Sequence, residues 1–258
     1  MTKKERHPMD RPNVGLVVTG GSTGIGRSIA LEYAAAYPKS SVVLVAREKG
    51  RLTKVKGEIE RRGSRCIVYA GDLRDPAFIQ GFIRDIRLRG LSITHLVNNV
   101  GSSREGSGIL SVTGEEWYAS LQLNLNAAFF CAKGVVELML SKGWEGAIVN
   151  VSAIAARIGM PKVAFTTAKA GLIGMTRSLA RVLAAHGIRV NAVLPGAIDT
   201  PATRHWTERQ RKDICRKIPL ARIGKPEEVA SVVVFLLSEK ASYVTGQTID
   251  VNGGWHMK

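Results

Sequence analysis

The chain has 258 residues, of which 45% are hydrophobic and 22% are charged, and its formal net charge is +16 at pH 7. This length supports one large hydrophobic core, so we expect a single domain rather than two small ones. The three cysteines, Cys66, Cys131 and Cys215, have neither paired nor metal-ligand spacing, so we expect no disulfide framework and no metal site.

The N-terminal residues MTKKERHPMDRP (1–12) are basic and are predicted to form a flexible tail. No apolar core of a secretion signal follows them, and later apolar runs such as VVVFLL (232–237) are too short to cross a bilayer. Basic residues elsewhere are mixed with acids, as in residues 47–65, without interleaved aromatics, which is typical of solvated helix faces. We therefore expect a soluble cytoplasmic protein that binds neither membranes nor nucleic acid.

Seven short runs rich in β-branched residues alternate with longer amphipathic segments between residues 13 and 258. Most runs are apolar on both faces, as in strands of a parallel sheet that helices cover on both sides. The alternation predicts the α/β class, with a Rossmann-like doubly wound parallel β-sheet flanked by helices in a single domain. The strands are expected at residues 14–20, 41–46, 66–71, 95–99, 146–152, 188–196 and 247–253.

A glycine-rich turn, TGGSTGIG (19–26), directly follows the first predicted strand and opens a helix. Glycines at positions 20, 24 and 26 allow a tight turn, a close approach of the backbone to a pyrophosphate, and close packing of the helix on the strand. Because the turn lies between a strand and a helix at the start of the sheet, it favours dinucleotide binding over a simple turn.

The chain resembles the classical short-chain dehydrogenase/reductase family over nearly its whole length. TGGSTGIG matches the family's TGxxxGxG pattern, and NNVG (98–101) stands for NNAG. The segment YVTGQTIDVNGGW (243–255) resembles the family's last strand and turn. The resemblance implies the fold predicted above, oxidoreductase activity with a nicotinamide cofactor, and a homodimer or homotetramer.

The same resemblance implies which residues hold the cofactor. In the family, a residue pair like Asp72-Leu73 contacts adenine, and a segment like Pro195–Thr200 lines the nicotinamide. The complete implied set is Thr19, Gly20, Ser22, Thr23, Gly24, Ile25, Gly26, Arg47, Asp72, Leu73, Asn99, Gly101, Lys169, Pro195, Gly196, Ile198 and Thr200.

The end of the second predicted strand bears on the choice between NAD and NADP. An acidic residue there would accept a hydrogen bond from the ribose 2′-hydroxyl, but the sequence VVLVAREKG has Arg47 and no carboxylate at that point. A guanidinium pairs with a 2′-phosphate, so we expect NADP. The alternative is that Arg47 is only a solvated residue at the start of a helix.

The segment VAFTTAKAGLIGMTRSLA (163–180) resembles the family's catalytic helix, with Lys169 in the lysine position and Asn124 matching the active-site asparagine. In the family, a tyrosine four residues before the lysine exchanges the proton while hydride moves to or from nicotinamide C4. Here that position is Phe165, which has no hydroxyl group. The implied catalytic set is therefore Asn124, Ser152, Phe165 and Lys169.

The family's serine falls on Ala153 when counted from the strand and on Ser152 when counted back from Phe165. The disagreement indicates a deletion of one residue in IAARIGMPKVA (154–164), and it leaves open whether Ser152 faces the substrate or the sheet. Alternative proton sources are Tyr118, Thr166, His205, Ser152 and water relayed by Lys169.

We interpret the chain as an NADP-dependent enzyme acting on a carbonyl/alcohol pair with a non-standard active site. The alternatives are a non-redox enzyme of the same fold (an isomerase, lyase or cyclase), a non-catalytic cofactor-binding protein, and an engineered replacement of tyrosine.

Residues 199–218 are expected to form a substrate lid, with Trp206 as a candidate contact to an apolar substrate. Its basic residues, which either attract an anionic substrate or form a solvated face, are Arg204, Arg209, Arg211, Lys212, Arg216 and Lys217.

Overall fold

The computed structural model describes residues 14–257, so the tail expected at residues 1–12 lies outside the described residues. Seven parallel strands form one sheet in the order β3-β2-β1-β4-β5-β6-β7. This is the doubly wound arrangement that the sequence predicted, and each predicted strand is confirmed to within two residues at either end. The strands are β1 (Gly15–Thr19), β2 (Ser41–Ala46), β3 (Arg65–Ala70), β4 (His95–Asn98), β5 (Gly146–Val151), β6 (Ile188–Pro195) and β7 (Thr248–Val251).

Helices connect the strands and cover both faces of the sheet. Alternate residues of a strand point to opposite faces, so Leu16 and Val18 pack on the side of α1, α2 and α9, and Val17 packs on the other side. The helices are α1 (Gly24–Ala36), α2 (Lys49–Glu60), α3 (Pro76–Leu88), α4 (Gly114–Leu121), α5 (Ala127–Lys142), α6 (Ala155–Ile158), α7 (Val163–Leu183), α8 (Glu208–Cys215) and α9 (Pro226–Leu237).

A π-helix at Gln122–Asn126 joins α4 to α5 and makes one continuous helical stretch, Gly114–Lys142. By length and composition alone this stretch could cross a membrane, although the sequence predicted no segment long enough to do so. About half of its apolar window is buried in the fold, and Cys131, Val135 and Met139 are fully buried. The stretch is therefore a core helix packed against the sheet.

The sheet order places the functional residues. Because β1 lies between β2 and β4, the connections after β1 and β4 leave the sheet toward opposite faces and open a crevice at the carboxyl ends of the strands. The turn after β1, the residues after β2 and β3, and NNVG after β4 all meet at this crevice. The sequence predicted a cofactor site from these same four segments.

Candidate active site

The glycine-rich turn forms a cradle that side chains would fill. Gly20 and Gly24 have φ angles of 68° and 52°, values that L-residues with side chains rarely adopt. A Cβ atom on Gly26 would lie 2.3 Å from the carbonyl oxygen of Gly20, so α1 packs against the turn only with glycine there. Thr23 is the N-cap residue of α1, and its side chain accepts no hydrogen bond from the first turn. The amides of that turn can therefore bind a phosphate group.

A buried threonine ties the first and fourth strands together behind this cradle. The Thr19 hydroxyl oxygen accepts hydrogen bonds from the amides of Asn99, at 2.9 Å, and Val100, at 3.1 Å. The Asn99 side chain in turn donates to the carbonyl oxygens of Thr19, at 3.0 Å, and Gly20, at 3.3 Å. Thr19 and Asn99 therefore fix the floor of the crevice, and Asn99 also lines it.

The crevice is a surface groove that brings together most of the predicted cofactor residues. It is also lined by residues that the sequence analysis did not select, among them Arg51, Ser102 and Pro201. The predicted residues that line it are Gly20, Ser22, Thr23, Gly24, Ile25, Arg47, Asp72, Leu73, Asn99, Gly101 and Thr200.

Six predicted cofactor residues lie around the groove without lining it. Pro195 ends β6, and Gly196 is held against Asn252, since a Cβ atom there would lie 2.8 Å from the Asn252 Cα. Ile198 is buried and pairs with Gly224. The other three are Thr19, Gly26 and Lys169, which lie behind the walls of the groove.

The outer end of the groove, beyond β2, carries two guanidinium groups. Arg47 is exposed and directly follows β2, and Arg51 lies one turn later, paired with Glu48 at 2.9 Å. Asp72 lies on the same wall, but its carboxylate is bound by Arg74, whose hydrogen bonds lower the pKa of Asp72 below its usual value. Arg51 lies in the first turn of α2, whereas Arg47 precedes the helix, so the groove and not helical spacing brings the two guanidinium groups to one wall.

The inner end of the groove holds a buried lysine. Lys169 is 3% exposed, and its Nζ donates a hydrogen bond to the carbonyl oxygen of Val151 at 2.9 Å. Burial lowers the pKa of Lys169 from 10.5 to about 8. A Cβ atom on Gly101 would lie 2.9 Å from this Nζ, so the ammonium group lies directly behind the wall that Gly101 forms.

Asn124 sits in the π-helix and connects this inner end to the loop after β4. Its Oδ1 accepts from the amide of Ser102 at 3.0 Å, and its Nδ2 donates to the carbonyl oxygens of Ser102 and Ser120, both at 2.9 Å. A Cβ atom on Gly101 would also lie 3.0 Å from the Asn124 Oδ1. The structure thus brings Asn124, Gly101 and Lys169 together.

Phe165 lies one helical turn before Lys169, and its ring centroid is 5.9 Å from the lysine Nζ. Its backbone amide donates to Oε1 of Glu105 at 2.7 Å. Glu105 is 4% exposed, and its position in the loop after β4 gave no sequence pattern by which to select it. Its recognition required the structure, because the contact joins residues 60 apart in the chain.

The sequence is similar to a family of known reductases over most of its length. Residues 20–256 match the model of the family described as enoyl-(acyl carrier protein) reductase. The chain is 37% identical over 242 residues to the 3-oxoacyl-(acyl-carrier-protein) reductase FabG of Staphylococcus aureus, which covers 93% of this chain and 97% of that relative. It is 36% identical over 242 residues to the FabG protein of Escherichia coli, with 93% and 96% covered.

Solved structures agree with these relatives. A crystal structure of a short-chain type dehydrogenase/reductase from Mycobacterium marinum superposes with a TM-score of 0.88 at 29% identity, covering 96% of this chain and 98% of that one. The chain belongs to the short-chain dehydrogenase/reductase family. The resemblance inferred from its motifs is confirmed, and with it the classification as a member of an oxidoreductase family.

The two candidate positions for the family's serine, Ser152 and Ala153, differ in their surroundings. Ser152 is buried, and its hydroxyl donates to the main-chain carbonyl oxygen of Lys169 at 2.7 Å. That contact joins β5 to α7 and engages the only proton of the hydroxyl. The next residue, Ala153, is partly exposed at the end of β5 but has no polar group. Neither position presents a free hydroxyl beside Phe165.

The other proton-source candidates are spread around the fold. Tyr118 is 72% exposed on α4, and His205 is exposed in the segment before α8. The Thr166 hydroxyl is buried beside Phe165, and no hydrogen-bond partner for it lies among residues 14–257.

In the segment that was expected to form a substrate lid, Trp206 is partly buried. Helix α8 has no buried residue and pairs some of its own charges, as in Lys212–Glu208.

Proposed function

We propose that this protein is an NADP(H)-dependent reductase or dehydrogenase acting on a carbonyl/alcohol pair through a non-standard active site. The observation that carries the proposal is the buried Lys169 ammonium behind Gly101, at the inner end of a groove with an intact glycine cradle. No ion-pair partner of Lys169 lies among residues 14–257, and a buried unpaired ammonium costs free energy in the unliganded fold, which argues for a role in binding or catalysis.

The residues of the groove fit a dinucleotide. The turn after β1 brings the α1 amides to a pyrophosphate, and the groove runs from there to Arg47 and Arg51 at one end and to Gly101 at the other. Arg47 and Arg51 can pair with a 2′-phosphate, and no free carboxylate among the groove residues competes for a ribose 2′-hydroxyl, since Glu48 and Asp72 are paired. These features support NADP over NAD.

In the proposed reaction the bound nicotinamide supplies or takes up hydride. Lys169 holds the nicotinamide ribose by donating hydrogen bonds, and Asn124 keeps the Ser102 backbone and the Gly101 wall in place. With Phe165 in the tyrosine position, no phenol is available there, and in the direction of reduction the substrate oxygen would receive its proton from water held by the Lys169 ammonium. Losing a positioned acid lowers such a rate by about 10²- to 10⁴-fold.

A spectrophotometric experiment tests this function. The protein is titrated with NADPH and NADH, and then absorbance at 340 nm is followed with a panel of carbonyl compounds. The panel begins with a 3-oxoacyl thioester, because the FabG relatives are named for that substrate. We expect NADPH to bind at least about tenfold more tightly than NADH, and slow oxidation of NADPH with one class of carbonyl compound.

A second candidate is a cofactor-binding protein without hydride transfer, and the specific observation that favours it is the absence of a free hydroxyl at Phe165 and Ser152. Tight NADPH binding with no absorbance change across the panel would support it. Mass spectrometry of the reaction mixtures would then detect a product of non-redox chemistry, such as isomerisation or elimination.

We also propose that this cytoplasmic enzyme is a homo-oligomer that associates through α5 and α7. Both helices leave large apolar side chains at the surface, with Phe129 46% exposed, Leu140 41% exposed and Val182 60% exposed. Static light scattering at micromolar concentration should give a mass that is a multiple of 27.9 kDa. A monomer mass alone would reject the proposed association.

A further inference from the structure

The start of α7 is held by a group from outside the helix. Its N-cap residue, Lys162, provides no side-chain acceptor, and the Lys162 carbonyl oxygen accepts from the amide of Thr166 at 2.9 Å. The amide of Phe165 is therefore one of the first-turn donors that have no partner within the helix. Oε1 of Glu105 accepts this hydrogen bond at 2.7 Å. The residue that replaces tyrosine is thus fixed, at its own backbone, by a carboxylate.

Glu105 is an unusual residue to find buried. Its side chain is 4% exposed, and no hydrogen-bond partner of its Oε2 lies within residues 14–257. Burying a carboxylate with one unpaired oxygen is unfavourable, and the positive end of the α7 dipole offsets only part of that cost. A glutamine would accept the same bond from the Phe165 amide without burying a charge, so it separates the contact from the charge of the carboxylate.

The loop that carries Glu105 connects both sides of the inner groove. At its beginning Ser102 is bound to Asn124 in the π-helix, and at Gly106 its amide donates to Oε1 of Glu116 on α4 at 3.3 Å. On the α7 side, Gly108 donates to the carbonyl oxygen of Pro161 at 2.7 Å, and Lys162 Nζ contacts the carbonyl oxygen of Glu105. Residues 101–113 therefore form a wall between Asn124 and Phe165.

We propose that Glu105 is a positioning residue of the active site. Its carboxylate fixes the first turn of α7, and through that turn it sets the place of the Phe165 ring relative to Lys169 and to a substrate on this wall. Glu105 acts through Phe165 rather than on the cofactor. The proposal rests on the proposed function for its kinetic consequence, but its structural consequence can be measured in the protein alone.

The rest of α7 does not depend on this contact, so the contact can be removed without unfolding the helix. Farther along, Leu172, Ile173 and Thr176 are buried, and Thr176 accepts a hydrogen bond from Asn150 at 2.9 Å. Removing the Glu105 side chain should therefore free the first turn and leave the remainder of the helix in place.

Hydrogen exchange of the apo protein is the first test. In Glu105→Ala the Phe165 amide should exchange about tenfold faster than in the wild type, while amides after Leu172 keep their protection. In Glu105→Gln the side-chain oxygen still accepts the bond, so exchange at Phe165 should stay within about threefold of the wild type. Glu115→Ala, which removes an exposed acid of α4, is the matched control. Unchanged exchange at Phe165 in Glu105→Ala would overturn the proposal.

Kinetics of the holoenzyme are the second test. Glu105→Ala should lower kcat by about tenfold with the dissociation constant for NADPH changed by less than about twofold, because the cofactor groove is built from other residues. Glu105→Gln should recover most of kcat with the pH profile of the wild type. Glutamine as damaging as alanine would overturn the positioning role, because it would show that the charge of the carboxylate is required. If the wild type transfers no hydride, the proposed function fails, and the exchange measurement alone decides on Glu105.

Discussion

The outer and inner ends of the groove differ in how far they keep the family's pattern. The outer end, with Arg47 and Arg51, continues from a cradle that is built from backbone geometry, with glycine φ angles, amides at the start of α1, and the bonds between Thr19 and Asn99. The inner end keeps Lys169 and Asn124 in place, but Phe165 has no hydroxyl and the Ser152 hydroxyl is bound to the Lys169 carbonyl oxygen. We therefore expect substitutions in the glycine cradle to change cofactor binding and substitutions at Phe165 to change proton transfer, because the first depends on the chain path and the second on one or two oxygen atoms.

Restoring the phenol should have the largest effect. In Phe165→Tyr the new hydroxyl lies near the Lys169 ammonium, whose positive charge lowers a phenol pKa, so the group becomes an effective acid. Carbonyl reduction should rise by about 100-fold, and the affinity for NADPH should change by less than about twofold. Initial rates at 340 nm measure carbonyl reduction, and fluorescence titration measures the affinity for NADPH.

Phe165→Leu, which adds no hydroxyl, is the control for that substitution and should not gain activity. A Phe165→Tyr protein that binds NADPH but gains nothing would show either that the one-residue deletion has moved the phenol away from the substrate or that the reaction does not use this proton. Adding Ala153→Ser separates the two, because it restores a hydroxyl at the end of β5.

The buried ammonium should lower the stability of the apo protein over a defined pH range. The pKa of Lys169 is about 8 in the fold and 10.5 ordinarily, so between these values the unfolded chain binds more protons than the folded chain. The free energy of unfolding therefore rises with pH across this window, and the cost of the charge is fully present below pH 8.

Lys169→Met keeps the aliphatic length without the charge, so it should stabilise the apo protein by about 2 kcal/mol at pH 7. The gain should shrink as the pH rises from 8 to 10.5 and should be accompanied by weaker NADPH binding. Urea unfolding at several pH values measures it. Lys133→Met, at an exposed lysine of α5, is the control and should give no pH-dependent gain. A pH-independent difference for Lys169→Met would show that the lysine has an ordinary pKa.

The sequence predicted the sheet and the outer groove because both depend on local patterns. β-branched runs specify buried parallel strands, and glycine at positions 20, 24 and 26 specifies the turn. Arg51 and Glu105 were not predicted, for different reasons. Arg51 joins the groove only because α2 begins directly after the end of β2, whereas Glu105 reaches Phe165 only through a contact across 60 residues.

The position of Ser152 also could not be predicted from the sequence alone. Counting residues placed Ser152 either at the substrate or in the sheet. In a strand, a shift of one residue turns each side chain to the opposite face, so the count could not decide between them. In the structure its hydroxyl donates to the Lys169 carbonyl oxygen, which is a tertiary contact between β5 and α7. Only the path of the loop between them decides which residue faces that helix.

Reversing the charge at the outer end should change cofactor preference by a smaller amount. Arg47→Asp places a carboxylate directly after β2, where it repels a 2′-phosphate and can accept from a 2′-hydroxyl, so the preference for NADPH should fall by about tenfold, or about 1.4 kcal/mol. Titrations with NADPH and NADH measure the ratio. Lys49→Asp makes the same charge change outside the groove and should alter the ratio by less than about threefold. Equal effects of the two substitutions would indicate a general field and no direct contact with Arg47.

The smallest predicted effect is that of Gly101→Ala on NADPH affinity, and it tests whether the cofactor contacts Lys169 beside Gly101. A Cβ atom on Gly101 would lie 2.9 Å from Lys169 Nζ and 3.0 Å from Asn124 Oδ1, closer than real contacts allow. The far end of the lysine chain can move, so Gly101→Ala should fold normally but displace the ammonium, weakening NADPH binding by about fivefold, or about 1 kcal/mol.

Gly174→Ala is the matched control. It lies on the exposed face of α7, where a Cβ atom meets nothing within 4 Å, and it should leave NADPH binding unchanged. Because that substitution raises helix propensity, it should also stabilise the protein slightly. If Gly101→Ala binds NADPH as the wild type does, Lys169 does not hold the cofactor through this wall, and the outer end of the groove alone accounts for binding.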